Sequence, residues 1–135
     1  MTVKDVMTRD VRVCEPNATV REAAELMARE DVGPIPVMED GRLVGIVTDR
    51  DIVIRVVTEG RDPGRTTVGE IATRELVTVG PDDDLADAMR LLAEHQVRRL
   101  PVVEGDRLVG IVAQADIALV GKDAKTGELV EEISR

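Results

Sequence analysis

Aromatic residues are absent: the 135-residue sequence contains no Phe, Tyr or Trp. A core must therefore be built from aliphatic side chains and methionine, and a ring-shaped ligand would be held between aliphatic groups. Cysteine occurs once, as Cys14, which excludes an intramolecular disulfide and is typical of a reducing cytosol. No apolar run is long enough to span a bilayer, and the first ten residues lack the apolar stretch of a signal peptide. We therefore expect a cytoplasmic protein.

Positive charge is also scarce. The chain has 18 Lys and Arg against 27 Asp and Glu, which gives a net charge of −9. Nucleic-acid binding depends on cationic side chains that displace the counterions of the phosphates, and often on aromatic stacking. Since both are lacking, the composition argues against a nucleic-acid partner. The length and the 43% content of hydrophobic residues suffice for one ordinary domain with a substantial core.

The most informative feature present is a duplication. Residues 43–52 read LVGIVTDRDI, and residues 108–117, which lie 65 positions later, read LVGIVAQADI. The same offset aligns the residues upstream without a gap, for example Pro36 with Pro101. The chain therefore divides into a first repeat, an exposed connector rich in Gly, Pro and charge, a second repeat, and a tail with a short predicted helix over 128–134. Their predicted ranges are 1–57, 58–67, 68–120 and 121–135.

Each copy shows the same order of predicted elements. A short β-type run comes before a helix that opens on a capping pair. The runs lie at 11–14 and 76–79, and the capping pairs are Thr19 with Glu22 and Asp84 with Asp87. Two strands joined by a tight polar turn follow, and the chain then enters another helix through TDRDI or AQADI. Because a two-stranded sheet flanked by helices cannot shield both its faces, the copies are expected to pack together in one α+β domain.

The pattern hPV…G.LVGIVT..DI, in which h is an apolar residue, follows a predicted helix at 35–52, and its second copy at 100–117 keeps LPV, LVGIV and DI but has Ala113 in place of the threonine. This tandem unit resembles the cystathionine-β-synthase (CBS) domain pair, also called a Bateman module. The resemblance covers residues 3–117, and in plan the chain is similar to the stand-alone bacterial CBS-pair proteins. It implies two β-α-β-β-α repeats packed about a pseudo-twofold axis, with two clefts that commonly take adenosyl compounds. It also implies a two-chain disc, and the apolar run DIVIRVV at 51–57 independently favours a homodimer.

Thr48 and Asp51 are the main ligand-binding candidates in the first repeat. The ribose diol of an adenine nucleotide requires an acceptor such as a carboxylate, and its phosphate requires hydroxyls, guanidinium groups or free N–H groups. Thr48 stands where a predicted strand gives way to a helix, so its hydroxyl and unpaired helix N–H groups can meet a phosphate together. The resemblance assigns the ribose to Asp51 and the phosphate to Thr48. The alternative is that both residues only cap the helix.

The second repeat departs from this pattern. Asp116 aligns with Asp51, but Ala113 stands where the first repeat has Thr48. Asp116 is therefore a candidate for either ligand binding or helix capping, and the two clefts are expected to be unequal.

Two arginines make a second asymmetry between the repeats. Arg98 and Arg99 align with Gly33 and Pro34, so only the second repeat carries guanidinium groups here. The resemblance implies that Arg99 reaches across the pseudo-twofold axis toward the phosphate bound at Asp51. The alternative is a solvated pair that forms salt bridges with the many carboxylates.

The resemblance places adenine between aliphatic walls, for which Ile35 and Pro36 are candidates, beside the backbone of residues 13–15. Core packing explains Ile35 equally well. The acidic run at 82–84 is more typical of a helix cap than of a metal site, because no calcium-loop spacing follows it. His95 has no partner ligand nearby in sequence. We therefore predict no metal and no catalytic residues.

Three functions remain open. The first is a non-enzymatic sensor in which an adenine nucleotide (AMP, ADP, ATP) or a similar adenosyl compound shifts a conformation that an unidentified regulated protein recognises. The second is a structural dimerisation module with vestigial clefts. The third, a small enzyme, is disfavoured because the sequence has no glycine-rich phosphate fingerprint and no nucleophile with a plausible base.

Overall fold

The computed structural model describes residues 1–123, and these residues form two compact units. The first-repeat unit is Arg12–Leu76, and the second-repeat unit joins Met1–Val11 to the chain from Val77 onward. The segment at the head of each sequence repeat therefore folds with the other repeat. The predicted helix over 128–134 lies outside the described residues.

The first-repeat unit opens with helix α1, Val20–Glu30. Thr19 caps it, because its hydroxyl accepts a hydrogen bond from the Glu22 N–H at 3.1 Å, as the sequence predicts. The apolar stripe of α1 is buried at Val20, Ala23 and Met27.

Strands β1, Pro34–Glu39, and β2, Arg42–Thr48, form an antiparallel hairpin. Its turn residues Asp40 and Gly41 have φ values of 52° and 79°, which is the left-handed geometry that tight hairpin turns require. The predicted β-type run at 11–14 is shorter than expected: only Cys14 pairs, in a single parallel bridge to Val37.

The motif helix follows β2 without a loop. Helix α2, Asp49–Ile52, continues into a π-helical segment, Val53–Val57. After the connector comes the short helix α3, Val68–Ile71. The connector is mostly exposed, but its end is fixed against α1, since Thr66 is buried and its carbonyl accepts a hydrogen bond from the Val20 N–H at 2.8 Å.

The segment after α3 pairs with β2 at one residue. Thr73 pairs with Ile46 of β2 through two hydrogen bonds, of 2.9 and 3.0 Å. This pairing places the head of the second sequence repeat beside the motif of the first.

The second-repeat unit repeats the plan. Its elements are a short 3-10 helix Val3–Asp5, helix α4 at Leu85–Glu94, strands β3 at Arg99–Glu104 and β4 at Arg107–Ala113, and helix α5 at Gln114–Asp123. Strands β3 and β4 pair antiparallel, and Thr8 bridges Ile111 as Thr73 bridges Ile46. The run at 76–79 contributes only Val79, in a parallel bridge to Val102.

The predicted cap of α4 is wrong in detail. Asp84 occupies the N-cap position, but its side chain makes no capping hydrogen bond. Its backbone pairs with Thr2, and the neighbouring Asp83 carboxylate accepts a hydrogen bond from the Gly80 N–H at 2.8 Å.

Each unit has its own aliphatic core. The mixture of helices with two small antiparallel sheets confirms the predicted α+β class. The fully buried large side chains are Val20, Ile35, Val37, Val47, Val56, Val68 and Ile71 in one unit and Val3, Leu85, Leu100, Val102, Val112 and Ile117 in the other. Within residues 1–123, no helix combines the length and apolarity that crossing a bilayer requires.

Candidate functional site

Thr48 and Asp51 form a reciprocal cap at the start of α2. The Thr48 hydroxyl accepts a hydrogen bond from the Asp51 N–H at 3.0 Å, and the Asp51 carboxylate accepts one through Oδ2 from the Thr48 N–H at 2.9 Å. Two helix N–H groups are thereby satisfied. The capping role is therefore present in the structure, and a ligand would have to use the acceptor capacity that this cap leaves free.

The other oxygen of Asp51 faces two polar groups of its own unit. Oδ1 lies 3.4 Å from the Thr73 hydroxyl and 3.7 Å from the Arg55 guanidinium. Arg55 also donates a hydrogen bond of 2.6 Å to the Ile71 carbonyl at the end of α3. The Asp51 side chain is only 12% exposed, so these neighbours hold it in a partly dehydrated position.

Sequence reasoning missed Arg55 and Thr73. A signal existed for Arg55, because it stands four residues after Asp51, the spacing of a helical ion pair. No sequence signal brings Thr73 to this place, since it depends on the pairing of Thr73 with Ile46.

The motif of the second repeat is simpler. Asp116 Oδ2 accepts a hydrogen bond from the Ala113 N–H at 3.2 Å, which is half of the cap seen in the first repeat. Ala113 has no hydroxyl to return a bond, and Val120 stands at the position that corresponds to Arg55. The two motifs therefore differ in their local hydrogen bonding, and unequal ligand binding by the two clefts remains a prediction.

Arg98 and Arg99 lie beside the motif of their own repeat. Arg99 is the first residue of β3 and is the register partner of Ala113, while the Arg98 carbonyl accepts a hydrogen bond from the Gln114 N–H at 2.9 Å. Both side chains are exposed. Contact between Arg99 and a phosphate at Asp51 remains a prediction.

The candidate adenine walls are deeply placed. Ile35 is fully buried in the core of its unit, and Pro36 is buried with its carbonyl bonded to the Cys14 N–H at 3.1 Å. Contact of either side chain with adenine remains a prediction. Burial also raises the pKa of the Cys14 thiol to about 11, so that it stays protonated near neutral pH, and a reactive thiolate is disfavoured.

A cleft of about 520 Å³ opens beside the segment that is predicted to meet the adenine edge. It lies between residues 13–15 and the α1 side chains Glu22, Leu26 and Arg29. Its volume is in the range of small-molecule sites. Backbone groups of this segment therefore have space around them for a ring.

Among residues 1–123, no cluster of three or more His, Cys, Asp or Glu has the arrangement of a metal site. Within the acidic run at 82–84, Asp82 pairs with Lys4 at 2.8 Å and Asp83 binds the Gly80 N–H.

The chain belongs to the CBS domain family: the model of the CBS domain matches residues 3–58 and 68–123. Among curated proteins, it is 51% identical over 118 residues to the CBS domain-containing protein YhcV of Bacillus subtilis (strain 168). The matched region covers 87% of this chain and 84% of YhcV. The two family matches thus correspond to the two copies of the sequence duplication.

Two solved structures share this fold. The crystal structure of Hypoxic Response Protein I with two coordinated zinc ions has a TM-score of 0.80 and 40% identity, covering 89% of this chain and 98% of that one. The crystal structure of CBSX2 in complex with AMP has a TM-score of 0.81 and 31% identity, covering 93% of this chain and 98% of that one. The CBS-pair fold that the resemblance implies is confirmed.

Proposed function

We propose that this protein is a non-enzymatic regulatory module that binds an adenosyl ligand, such as AMP, ADP or ATP, and signals through conformation. The observation that carries the proposal is the Asp51 carboxylate, which is held beside the Thr48 hydroxyl at the start of α2 and keeps acceptor capacity beyond its cap. That CBSX2, a structural neighbour, has been solved with AMP supports an adenosyl ligand.

In this proposal Asp51 accepts hydrogen bonds from the two ribose hydroxyls and Thr48 binds the phosphate. Arg99, with Arg98 next to it, supplies positive charge to the phosphate, since guanidinium groups bind phosphate oxygens in directed pairs. Asp116 serves a weaker second site, because Ala113 offers no hydroxyl.

Adenine occupies the aliphatic side of the site in this proposal. Ile35 and Pro36 provide its walls, and the backbone of residues 13–15 binds its polar edge. The cleft beside that segment supports only the backbone part of this placement, because neither Ile35 nor Pro36 lines it. Protein groups thus account for each part of the nucleotide without a metal.

A thermal-shift panel tests the proposal. AMP, ADP, ATP and S-adenosylmethionine are titrated to millimolar concentration, with ribose 5-phosphate as a control that keeps the sugar and phosphate but lacks adenine. A ligand at 100 times its Kd stabilises the folded state by about 2.7 kcal/mol, which raises the melting temperature by several degrees. We expect a saturable rise with at least one adenosyl compound and a smaller rise with ribose 5-phosphate, which keeps the ribose and phosphate contacts but lacks adenine. A separate phosphate-release assay with ATP is expected to show no turnover.

A structural module with vestigial clefts is the second candidate. It is favoured by the closed cap of Thr48 and Asp51, which explains both side chains without a ligand. The absence of any saturable shift across the panel would support this candidate against the sensor.

We also propose that the protein is a homodimer. The run at 51–57 buries Val56 but leaves Val53, Ile54 and Val57 exposed by 54, 44 and 67%. Such clustered apolar side chains favour association. Light scattering at micromolar concentration is expected to return twice the chain mass of 14.7 kDa. A single-chain mass would contradict the proposal.

A further inference from the structure

Arg55 lies in the stretch where the two motif helices differ. In the first repeat the helix widens into the π-helical segment Val53–Val57, in which the Thr58 N–H bonds the Val53 carbonyl five residues back. Helix α5 of the second repeat stays α-helical through the aligned range 118–122. Single π turns are rare and occur frequently at functional sites. The π turn thus distinguishes the motif helix of the first repeat from that of the second, at the residues around Arg55.

The Arg55 guanidinium contacts two groups of its unit, the end of α3 and Asp51. It donates to the Ile71 carbonyl at 2.6 Å and lies 3.7 Å from Asp51 Oδ1, which in turn is 3.4 Å from the Thr73 hydroxyl. The distance to Asp51 is beyond hydrogen-bonding range, so the attraction is electrostatic and occupies no directed lone pair. Arg55 can therefore orient the carboxylate without consuming its acceptor sites.

Asp51 has acceptor capacity to spare. An ionised carboxylate offers about four lone-pair sites. The Thr48 N–H uses one on Oδ2, and the Thr73 hydroxyl approaches one on Oδ1. At least one lone-pair site on each oxygen remains to accept hydrogen bonds from the two hydroxyls of a ribose diol. Because both hydrogen bonds must form at once, the orientation of the carboxylate plane decides the affinity.

We propose that Arg55 is a positioning residue for Asp51, which fixes the carboxylate against Ile71–Thr73 in the orientation that meets the ribose diol. The inference rests on the proposed function and specifies how the first-repeat site is organised. It also gives a physical reason for the difference between the repeats, because Val120 at the aligned position cannot orient Asp116 in this way.

Calorimetric titration of Arg55→Met with AMP and with 2′,3′-dideoxyadenosine monophosphate tests the inference. Methionine keeps the length of the side chain but removes its charge and donors. Since the carboxylate would then have to be ordered during binding, AMP affinity is expected to fall about three- to ten-fold. The dideoxy compound lacks both ribose hydroxyls, so its affinity is expected to stay unchanged. Arg55→Lys, which restores the charge, should recover part of the loss for AMP.

Arg65→Met is the matched control, because Arg65 belongs to the same unit, is 90% exposed and forms an ion pair with Asp62. It removes the same charge and is expected to leave both affinities unchanged. If Arg55→Met does not fold, Arg55→Lys is compared with Arg65→Lys instead. Arg55→Lys is then expected to lose a smaller part of its AMP affinity and none of its affinity for the dideoxy compound, whereas Arg65→Lys should lose neither.

The outcomes separate the two proposals. Equal losses for AMP and the dideoxy compound, or no loss for AMP, would overturn the positioning role while leaving adenosyl binding intact. Failure of the wild-type protein to bind AMP or any other compound of the adenosyl panel would overturn the proposed function, and the positioning role with it.

Discussion

Asp51→Ala is expected to weaken AMP binding ten-fold or more. The carboxylate would make charge-assisted hydrogen bonds to both ribose hydroxyls, each contributing about 1 to 3 kcal/mol, and 1.4 kcal/mol corresponds to a factor of ten. Asp116→Ala is the matched control, because Asp116 accepts the same capping bond from the Ala113 N–H as Asp51 accepts from the Thr48 N–H. Both substitutions remove one capping hydrogen bond, and Asp51→Ala also removes the contacts of Oδ1 with Thr73 and Arg55, so calorimetry compares the two variants once circular dichroism has shown that both are folded.

The choice of ligand makes this comparison sharper. Adenosine keeps the ribose but has no phosphate, so Asp51→Ala should weaken adenosine and AMP by similar factors. Arg99→Ala should weaken only AMP, since its proposed contact is with the phosphate. Equal losses of AMP affinity for Asp51→Ala and Asp116→Ala would contradict the proposal that the two sites are unequal. If Arg99→Ala weakens adenosine as much as AMP, Arg99 does not bind the phosphate.

Local patterns made much of the fold predictable. The duplication, the capped start of α1 and the hairpins depend on spacing and turn chemistry within a few residues, and the structure has all of them. The β-type runs at 11–14 and 76–79 were less predictable because apolar, β-branched residues also occur in irregular segments that pair at one residue. Cys14 and Val79 are those single residues.

Long-range pairing was not predictable from spacing. The bond pairs of Thr8 with Ile111 and of Thr73 with Ile46 place each head segment in the unit of the other repeat. In the candidate site, too, the residues brought in by long-range pairing were not predictable. Thr48 and Asp51 are recognisable from the motif, whereas Thr73 reaches Asp51 only because its segment joins the sheet at Ile46.

The same pairing explains the glycine in both copies of LVGIV. A side-chain carbon at Gly110 would stand 2.7 Å from the Thr8 carbonyl oxygen and 2.8 Å from the Met7 sulfur. At Gly45 the nearest atom would be the Thr73 carbonyl oxygen, at 3.1 Å. Neither position has the left-handed backbone geometry that itself requires glycine, so close approach of the head segment is the reason for the residue.

Gly110→Ala is therefore expected to destabilise the protein by about 2 to 3 kcal/mol. Contact at 2.7 Å with a backbone atom cannot be relieved by a rotamer change, so the Thr8 segment must move, which strains its two hydrogen bonds to Ile111 and adds an overpacking cost of about 1 to 3 kcal/mol. The smaller conformational entropy of alanine in the unfolded chain offsets only about 0.4 to 1 kcal/mol. Urea unfolding followed by circular dichroism measures the change.

Gly45→Ala is the matched substitution, and it is expected to change the unfolding free energy less than Gly110→Ala but the AMP affinity more. Its contact at 3.1 Å is relieved by a shift of a few tenths of an ångström, so the unfolding free energy should change by about 1 kcal/mol or less. That shift moves Thr73, whose hydroxyl lies 3.4 Å from Asp51, so AMP affinity should fall measurably in Gly45→Ala. In Gly110→Ala, measured where the protein is folded, the affinity of the first-repeat site should be retained. Equal destabilisation by the two substitutions would contradict the steric account, and retained AMP affinity in Gly45→Ala would show that the position of Thr73 does not matter to the site.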